Sequence, residues 1–370
     1  MSHDITPLLP HFRFEGTFGQ ALEINAGNIN TTYRLVYRLP DGGTRDYLLQ
    51  RINTYVFRDP EGVMRNIDRV TRHIERAYRA RGIDSARRVL RVIKTTDDGL
   101  FYCTPAGDYW RAYNFIDRAT AYNRIERPED FREAARGFGE FQRLLTDFPA
   151  AELTETIPGF HHTARRFEAF EASVAADRAG RVAALTDEIR FLTERRGMMS
   201  EIITALEAGR LPVRVTHNDT KINNVMIDDE TRRAVCVIDL DTVMPGSALF
   251  DFGDAIRSGA AAVTEDDPDF SKVALDLTLF EAFTDGFLSE VRDILTPLEI
   301  EWLPLSAKVI TCEQAMRFLT DYIDGDLYYK IRTPDHNLVR ARNQMALVRD
   351  MEAKFGEMQA ICRKYAAKSR

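Results

Sequence analysis

The stretch from Val215 to Leu240, VTHNDTKINNVMIDDETRRAVCVIDL, constrains this chain more than any other. Two apolar runs, Asn224–Ile227 and Ala234–Ile238, flank Asp-Asp-Glu-Thr, a composition that predicts two strands joined by a turn. Asp219 lies five residues before Asn224, and Asp239 ends the second run. A hairpin returns its last residue to the end where it began, so Asp239 should come back beside Asn224. One carboxylate is then free to take a proton, while an amide oxygen and a second carboxylate offer hard ligands suited to Mg2+.

The spacing H-x-D-x-x-x-x-N followed by a downstream aspartate is the layout used for phosphoryl transfer in kinase-type folds. It predicts Asp219 as the catalytic base and Asn224 and Asp239 as metal ligands. Lys221, two positions after Asp219, is placed to reach a transferring phosphate as a point charge. An ordinary turn with a strand-capping aspartate is the plainer alternative for an isolated HxD. Four residues in one spacing weigh against it.

At 370 residues, with 44% hydrophobic and 29% charged side chains, the chain is long enough for two lobes around full cores. A net charge of -7 argues against a general nucleic-acid surface. The four cysteines are scattered without metal-ligand spacing and read as reduced, small hydrophobes. The first residues carry no signal-peptide pattern, and no apolar run approaches membrane-span length. The expectation is a soluble cytoplasmic protein, a monomer or homodimer, without membrane or nucleic-acid partners.

From residue 21 to 115 the pattern is mostly β: strands over 21–26, 32–39 and 47–52, then 89–94, 100–104 and 109–115. The turn Gly27-Asn28-Ile29-Asn30-Thr31 can lay backbone N–H groups and small side chains against nucleotide phosphates, which makes Asn28, Asn30 and Thr31 candidates. The third strand ends Leu48-Leu49-Gln50-Arg51; it holds no lysine, and Arg51 is its nearest cation for α- and β-phosphates. A helix over 61–81 has an arginine-rich face interrupted by acids, more consistent with a solvated face than with RNA binding. Residues 114–118 form the expected hinge, dividing a 1–115 nucleotide-binding lobe from a 116–370 helical lobe that carries the catalytic loop. In that second part helices are expected over 131–145, 167–191 and 195–209. The intervening loop contains Phe160-His161-His162; adjacent histidines point apart, so packing of Phe160 under the domain is preferred over a metal site. After Asp239, Asp251 or Asp254 is placed to start a helix or to brace the catalytic loop by hydrogen bonds. Thr296-Pro297-Leu298-Glu299 fits a capping box. The helix end near Asp321, Asp324 and Gly325, followed by Tyr328 and Tyr329, suits either a polyhydroxylated ligand or a plain helix terminus.

The segments THNDTKINNVMID, VIDLDTVMPG and DFGDAIR resemble the aminoglycoside phosphotransferase and choline kinase superfamily. With GNINTTYRL, LLQRINTYVF, FQRLLTDFPA, TIPGFHHT and RFLTDYIDGDLYY, the resemblance narrows to the bacterial N-acetylhexosamine 1-kinases and spans nearly the whole chain. It implies an α+β, bilobal protein-kinase-like fold, with a small antiparallel-sheet N-lobe and a larger, mainly helical C-lobe. It also implies ATP with Mg2+ and a sugar as small-molecule partner, phosphorylated at its anomeric hydroxyl. By motif, Asp219 is again the base, Asn224 and Asp239 the metal ligands, and Arg317, Asp321 and Tyr328 the sugar-side candidates. The missing strand lysine departs from the kinase pattern. Rival readings are the same chemistry on another sugar, aminoglycoside or amino alcohol, and a pseudokinase that binds nucleotide without turnover.

Overall fold

Alternating burial along the first strands decides how the N-terminal third folds. In a computed structural model describing residues 4–24 and 30–368, the elements run β1 (Thr17–Ile24), β2 (Thr31–Arg38), β3 (Thr44–Arg51), α1 (Pro60–Ala80), β4 (Val92–Ile93), β5 (Tyr102–Cys103) and β6 (Tyr109–Asn114). The strands form one antiparallel sheet in the order β1-β2-β3-β6-β4, with β5 pairing β6 along the same edge as β4. Tyr33, Leu35, Tyr37, Tyr47 and Leu49 point to one face, where Ile5, Leu8, Leu9 and Phe12 cover them. The opposite face receives α1 through Val63, Ile67, Val70 and Ile74. Asp59 caps this helix by accepting from the Gly62 N–H at 2.8 Å, with Pro60 at its first position. Its outer arginines pair within the helix or nearby, Arg72 with Asp68 and Arg65 with Glu61, as expected of a solvated face.

The chain continues through β7 (Ala119–Ala121), α2 (Pro128–Leu144), α3 (Thr163–Ala176), α4 (Thr186–Glu194), α5 (Arg196–Glu207), β8 (Arg214–Thr216), β9 (Val225–Asp228), β10 (Ala234–Val237) and β11 (Met244–Gly246). It ends with α6 (Ala248–Gly259), α7 (Leu277–Val291), α8 (Pro297–Asp324), α9 (His336–Ala353) and α10 (Phe355–Ala366). The architecture is a mixed α+β one, with an antiparallel N-terminal sheet and a larger helical part. The single helix expected over 167–191 is two, because Asp177 adopts a left-handed conformation (φ 39°) and Gly180 another (φ 67°). Strand 89–94 shrinks to Val92–Ile93. The capping box at Thr296 and Glu299 is formed, and Gly325 ends α8 at φ 97°.

α6 crosses α8 at Gly253, where a β-carbon would lie 2.5 Å from the Ser306 carbonyl oxygen. Only glycine permits that approach, and α6 carries the aspartates that organise the catalytic loop. Cys236, Cys312 and Cys362 are buried free thiols, whereas Cys103 is exposed on its short strand. Among the described residues no helix is long and apolar enough to cross a membrane.

Candidate active site

The hairpin forms as its composition dictates. β9 and β10 pair antiparallel, and the Asp228 carboxylate closes the turn by accepting from the Thr231 N–H and hydroxyl, both at 2.8 Å. The Ile238 N–H donates to the Asn224 carbonyl at 2.9 Å, so Asp239 emerges next to Asn224. Asn218 and Asp239 both sit in the left-handed region, at φ 64° and 57°. Asparagine and aspartate tolerate that conformation better than other side chains, and its persistence here means the surroundings hold it.

Those surroundings are specific. Asp251 accepts from the His217 N–H at 3.0 Å and the Asn218 N–H at 2.8 Å, while Gln142 donates to the same carboxylate at 2.6 Å. Asp254 accepts from the Thr220 N–H at 2.9 Å and is held by Arg257 at 2.8 Å. Both expected aspartates therefore brace the loop, and Ser247 rather than either of them caps α6. His217 is fully buried between Phe138 and Phe141. Its Nε2 lies 2.9 Å from the Ile238 carbonyl, which can only accept, so Nε2 carries the hydrogen and Nδ1 receives the Asp219 N–H at 3.3 Å. One imidazole thus links the loop to the strand that leads into Asp239.

Asp219, Lys221 and Asn224 meet. The Lys221 ammonium is 2.7 Å from Asp219, and Asn224 Nδ2 donates to the Asp219 carboxylate at 3.1 Å and to its carbonyl at 2.7 Å. Burial alone would push the Asp219 carboxyl up, but the ammonium beside it outweighs this and holds the carboxyl below its ordinary range. Asp239 behaves oppositely. Withdrawal from bulk water among the surrounding groups, then the Asp241 and Asp219 carboxylates, push it up to about 7, although the residue as a whole is exposed and solvent screens that push. Among the described residues its carboxylate receives no hydrogen bond, and Asn224 turns Nδ2 toward Asp219, which leaves Oδ1 on the other side. A carboxylate and an amide oxygen on neighbouring backbone segments are the donor types that suit a hard cation with other oxygen ligands of its own. No group of three or more His, Cys, Asp or Glu placed for a metal occurs among the described residues.

The nucleotide-side candidates Asn28, Asn30, Thr31 and Arg51 divide. Asn28 lies outside the described residues. Asn30 reaches the site, but its amide is committed: Nδ2 donates to Asp241 at 2.8 Å and Oδ1 accepts from the Asn53 N–H at 3.0 Å. Thr31 stands opposite Arg51 in the β2–β3 register, and Arg51 opposite Trp110, so strand alternation puts all three on the face away from α1. Arg51 pairs there with Asp108 at 2.9 Å rather than facing the catalytic loop. The residues that do face it are Gln50 and Arg111, neighbours across β3 and β6. Arg111 is buried and holds Asp241 with both terminal nitrogens (Nη2 at 2.9 Å), and its Nε donates to Gln50 at 3.2 Å. This pair ties the N-terminal sheet to the segment after Asp239. The signal was an arginine inside the apolar strand YWRAYNF. Removing either partner leaves a buried charge, so Asp241→Asn or Arg111→Leu should cost about 3–5 kcal/mol, read as a lower urea midpoint. Replacing both with apolar residues should cost less than the sum of the two.

The sugar-side candidates also divide. Asp321 is spent on the chain itself: its carboxylate accepts the N–H groups of Leu327, Tyr328 and Tyr329 at 2.9, 2.8 and 2.9 Å and the Asn337 amide at 2.9 Å. Four donors fill its acceptor capacity, so it shapes the loop rather than offering oxygen to a ligand. Asp321→Asn places an amide against donors, and should lower stability by about 1–3 kcal/mol and open the 326–331 loop to proteolysis. Tyr328 is exposed, and it is Tyr329 that turns inward, packing on Phe318 and accepting from Gln314. Arg317 lies over the Phe160 ring, 5.3 Å from its centroid, beside Tyr329.

A braced aspartate with an amide and a second carboxylate at the mouth of a β-hairpin, tied to an antiparallel sheet by a buried ion pair, defines a kinase-like phosphotransferase. The model of the phosphotransferase enzyme family matches residues 20–283, and the chain belongs to that family. Its fold is similar to that of a microcompartment-associated aminopropanol kinase (16% identity, TM-score 0.64, covering 95% of this chain and 97% of the other). It is also similar to an aminoglycoside phosphotransferase from Alicyclobacillus acidocaldarius (13%, 0.60, 99% and 97%). An amicoumacin kinase in complex with AMP-PNP, Ca2+ and Ami matches at 14% and 0.60, over 95% and 94% of the two chains.

Proposed function

We propose that this protein transfers the γ-phosphoryl group of ATP to a sugar hydroxyl, most closely the anomeric hydroxyl of an N-acetylhexosamine. The observation that carries the transfer chemistry is the meeting of Asp219, Lys221 and Asn224 beside Asp239. Phosphoryl transfer proceeds through a loose transition state, so the protein's work is to position groups and neutralise charge. Asp219 accepts a hydrogen bond from the acceptor hydroxyl and aligns its oxygen with phosphorus. Its lowered pKa makes it a weak base, so it takes the proton late, once the new P–O bond has acidified that proton. Lys221 offsets negative charge on the group in transit. Asn224 and Asp239 would hold Mg2+, which neutralises β- and γ-phosphate oxygens when bound. That a structural neighbour is in complex with AMP-PNP and Ca2+ supports this reading.

The acceptor class follows from motif resemblance and from charge. Glu265 is paired with Arg257 (3.1 Å) and Arg340, and Glu313 with His161 (3.1 Å) and Arg166 (3.3 Å). Both carboxylates are thus already paired with arginines, and Arg317 lies within electrostatic reach of Glu313 and Arg257. A cationic amine gains little there, whereas a neutral sugar finds donors. A screen of ATP consumption against free sugars, amino alcohols and aminoglycosides, with 31P NMR of any product, tests this. A phosphorus doublet coupled to an anomeric proton is expected; turnover confined to amines would discard the sugar.

A further inference from the structure

Every residue from Asp241 to Val243, in the segment just past Asp239, is held from another part of the chain. Asn218 Nδ2 donates to the Thr242 carbonyl at 2.8 Å, and the Thr242 hydroxyl donates to the His217 carbonyl at 2.6 Å. Asn66 on α1 donates to the Val243 carbonyl at 3.0 Å and to the Thr154 carbonyl at 2.7 Å. The Asp241 carboxylate takes three donors: both terminal nitrogens of Arg111 and, at 2.8 Å, Asn30 Nδ2. Asn218, Asn66 and Arg111 are buried, whereas Asn30 is partly exposed.

The bonds at Asp241 belong to a circuit. Arg111 Nε donates to Gln50 Oε1 at 3.2 Å, Gln50 Nε2 donates to the Thr32 hydroxyl at 3.0 Å, and Thr32 lies two residues after Asn30. Asn30 immediately precedes β2, and its Oδ1 is anchored by the Asn53 N–H at 3.0 Å. One end of its amide thus stays within the connections of the N-terminal sheet, while the other crosses to Asp241, 211 positions away. Linked bonds of this kind polarise one another, and when every member is satisfied they hold one arrangement.

We propose that Asn30 is a positioning residue for the cation: its amide bridges the N-terminal sheet to Asp241 and so fixes where Asp239, two residues earlier, presents its carboxylate. The inference rests on the reading of Asp239 as a Mg2+ ligand. Leu240–Thr242 form a single tight helical turn directly after Asp239, so a displacement of Asp241 passes to Asp239 with little slack. Groups that orient a metal's ligands set its affinity without touching it. An amide suits the place because it offers a donor to Asp241 and an acceptor to the Asn53 N–H at once.

The test is calorimetric titration of the full chain with ADP, in Mg2+ and in EDTA, for wild type, Asn30→Ala and Asn30→Asp. Asn30→Asp separates the two ends of the amide: its carboxylate still accepts the Asn53 N–H but has no donor for Asp241. The factor by which Mg2+ tightens ADP binding should shrink about tenfold in both variants, the low end for groups that orient metal ligands, while ADP affinity in EDTA stays within about twofold. Raised Mg2+ should restore ADP binding to Asn30→Asp, because the ligands themselves are intact. Wild-type tightening in Asn30→Asp would assign the role to the Asn53 bond, and a loss confined to Asn30→Asp would assign it to charge repulsion. Either overturns the proposal, as does tighter Mg2+-dependent binding in Asn30→Asp than in wild type. An equal loss in Mg2+ and EDTA with a lowered Tm marks a purely structural residue and also overturns it. A wild type that binds ADP no more tightly with Mg2+ than without instead removes the metal reading on which the inference stands.

Discussion

Asp219→Asn is expected to lower kcat by about 10²–10⁴-fold, the usual contribution of a positioned general base, with the Kd for an ATP analogue nearly unchanged. The substitution keeps the shape of the side chain but not all of its bonds. Asn224 donates to one carboxylate oxygen at 3.1 Å and Lys221 to the other at 2.7 Å, so the single asparagine oxygen retains one of these and the amide nitrogen faces the other donor. Also lost is the negative charge facing the acceptor hydroxyl. Steady-state turnover at saturating ATP, alongside calorimetric titration with a non-hydrolysable nucleotide, measures both quantities. Near-normal kcat would remove Asp219 from the base role, and a collapse of nucleotide affinity would make it a binding group.

Asp239→Asn should abolish turnover, as should chelation of divalent cations, with activity in the wild type restored by excess Mg2+. The same substitution should make the ligand-free protein more stable. Asp239 sits among Asp241 and Asp219, and its ionised form is disfavoured strongly enough to bring its pKa up to about 7. Near pH 8 that crowded charge opposes folding, and a neutral amide relieves it. Because one side of the residue meets solvent, screening reduces the gain to about 1 kcal/mol, a rise of a few degrees in Tm. Loss of activity combined with gain of stability is the signature of a residue kept for function. A destabilised Asp239→Asn protein would point to a structural role instead.

Local spacing made much of this site legible. Asp219, Asn224 and Asp239 come together because a two-stranded hairpin must return to its starting end, and that holds whatever the rest of the chain does. The same is true of the capping box at Thr296 and Glu299, where partners lie three residues apart. Arg51 illustrates the limit. The strand could be placed from composition, but its register could not, and with a period of two a one-residue difference moves a side chain to the other face. Gln50 took the inward position, and Arg111 arrived beside it from a strand some sixty residues later. Asp321 failed for a related reason: a carboxylate at a helix end reads as a ligand group until the loop folds back and four donors fill it.

The amino-acid sequence by itself determined the chemistry of transfer, because its groups lie within one short segment whose strand pairing is local. Only the tertiary structure decided what surrounds that chemistry: the Arg111–Asp241 tie between sheet and catalytic segment, the choice of bracing over helix capping for Asp251 and Asp254, and the buried His161–Glu313 pair. Those contacts join residues 33 to 152 positions apart, the bracing bonds being the shortest. Such pairings depend on how helices and sheet pack, and no periodicity or spacing along the chain encodes them.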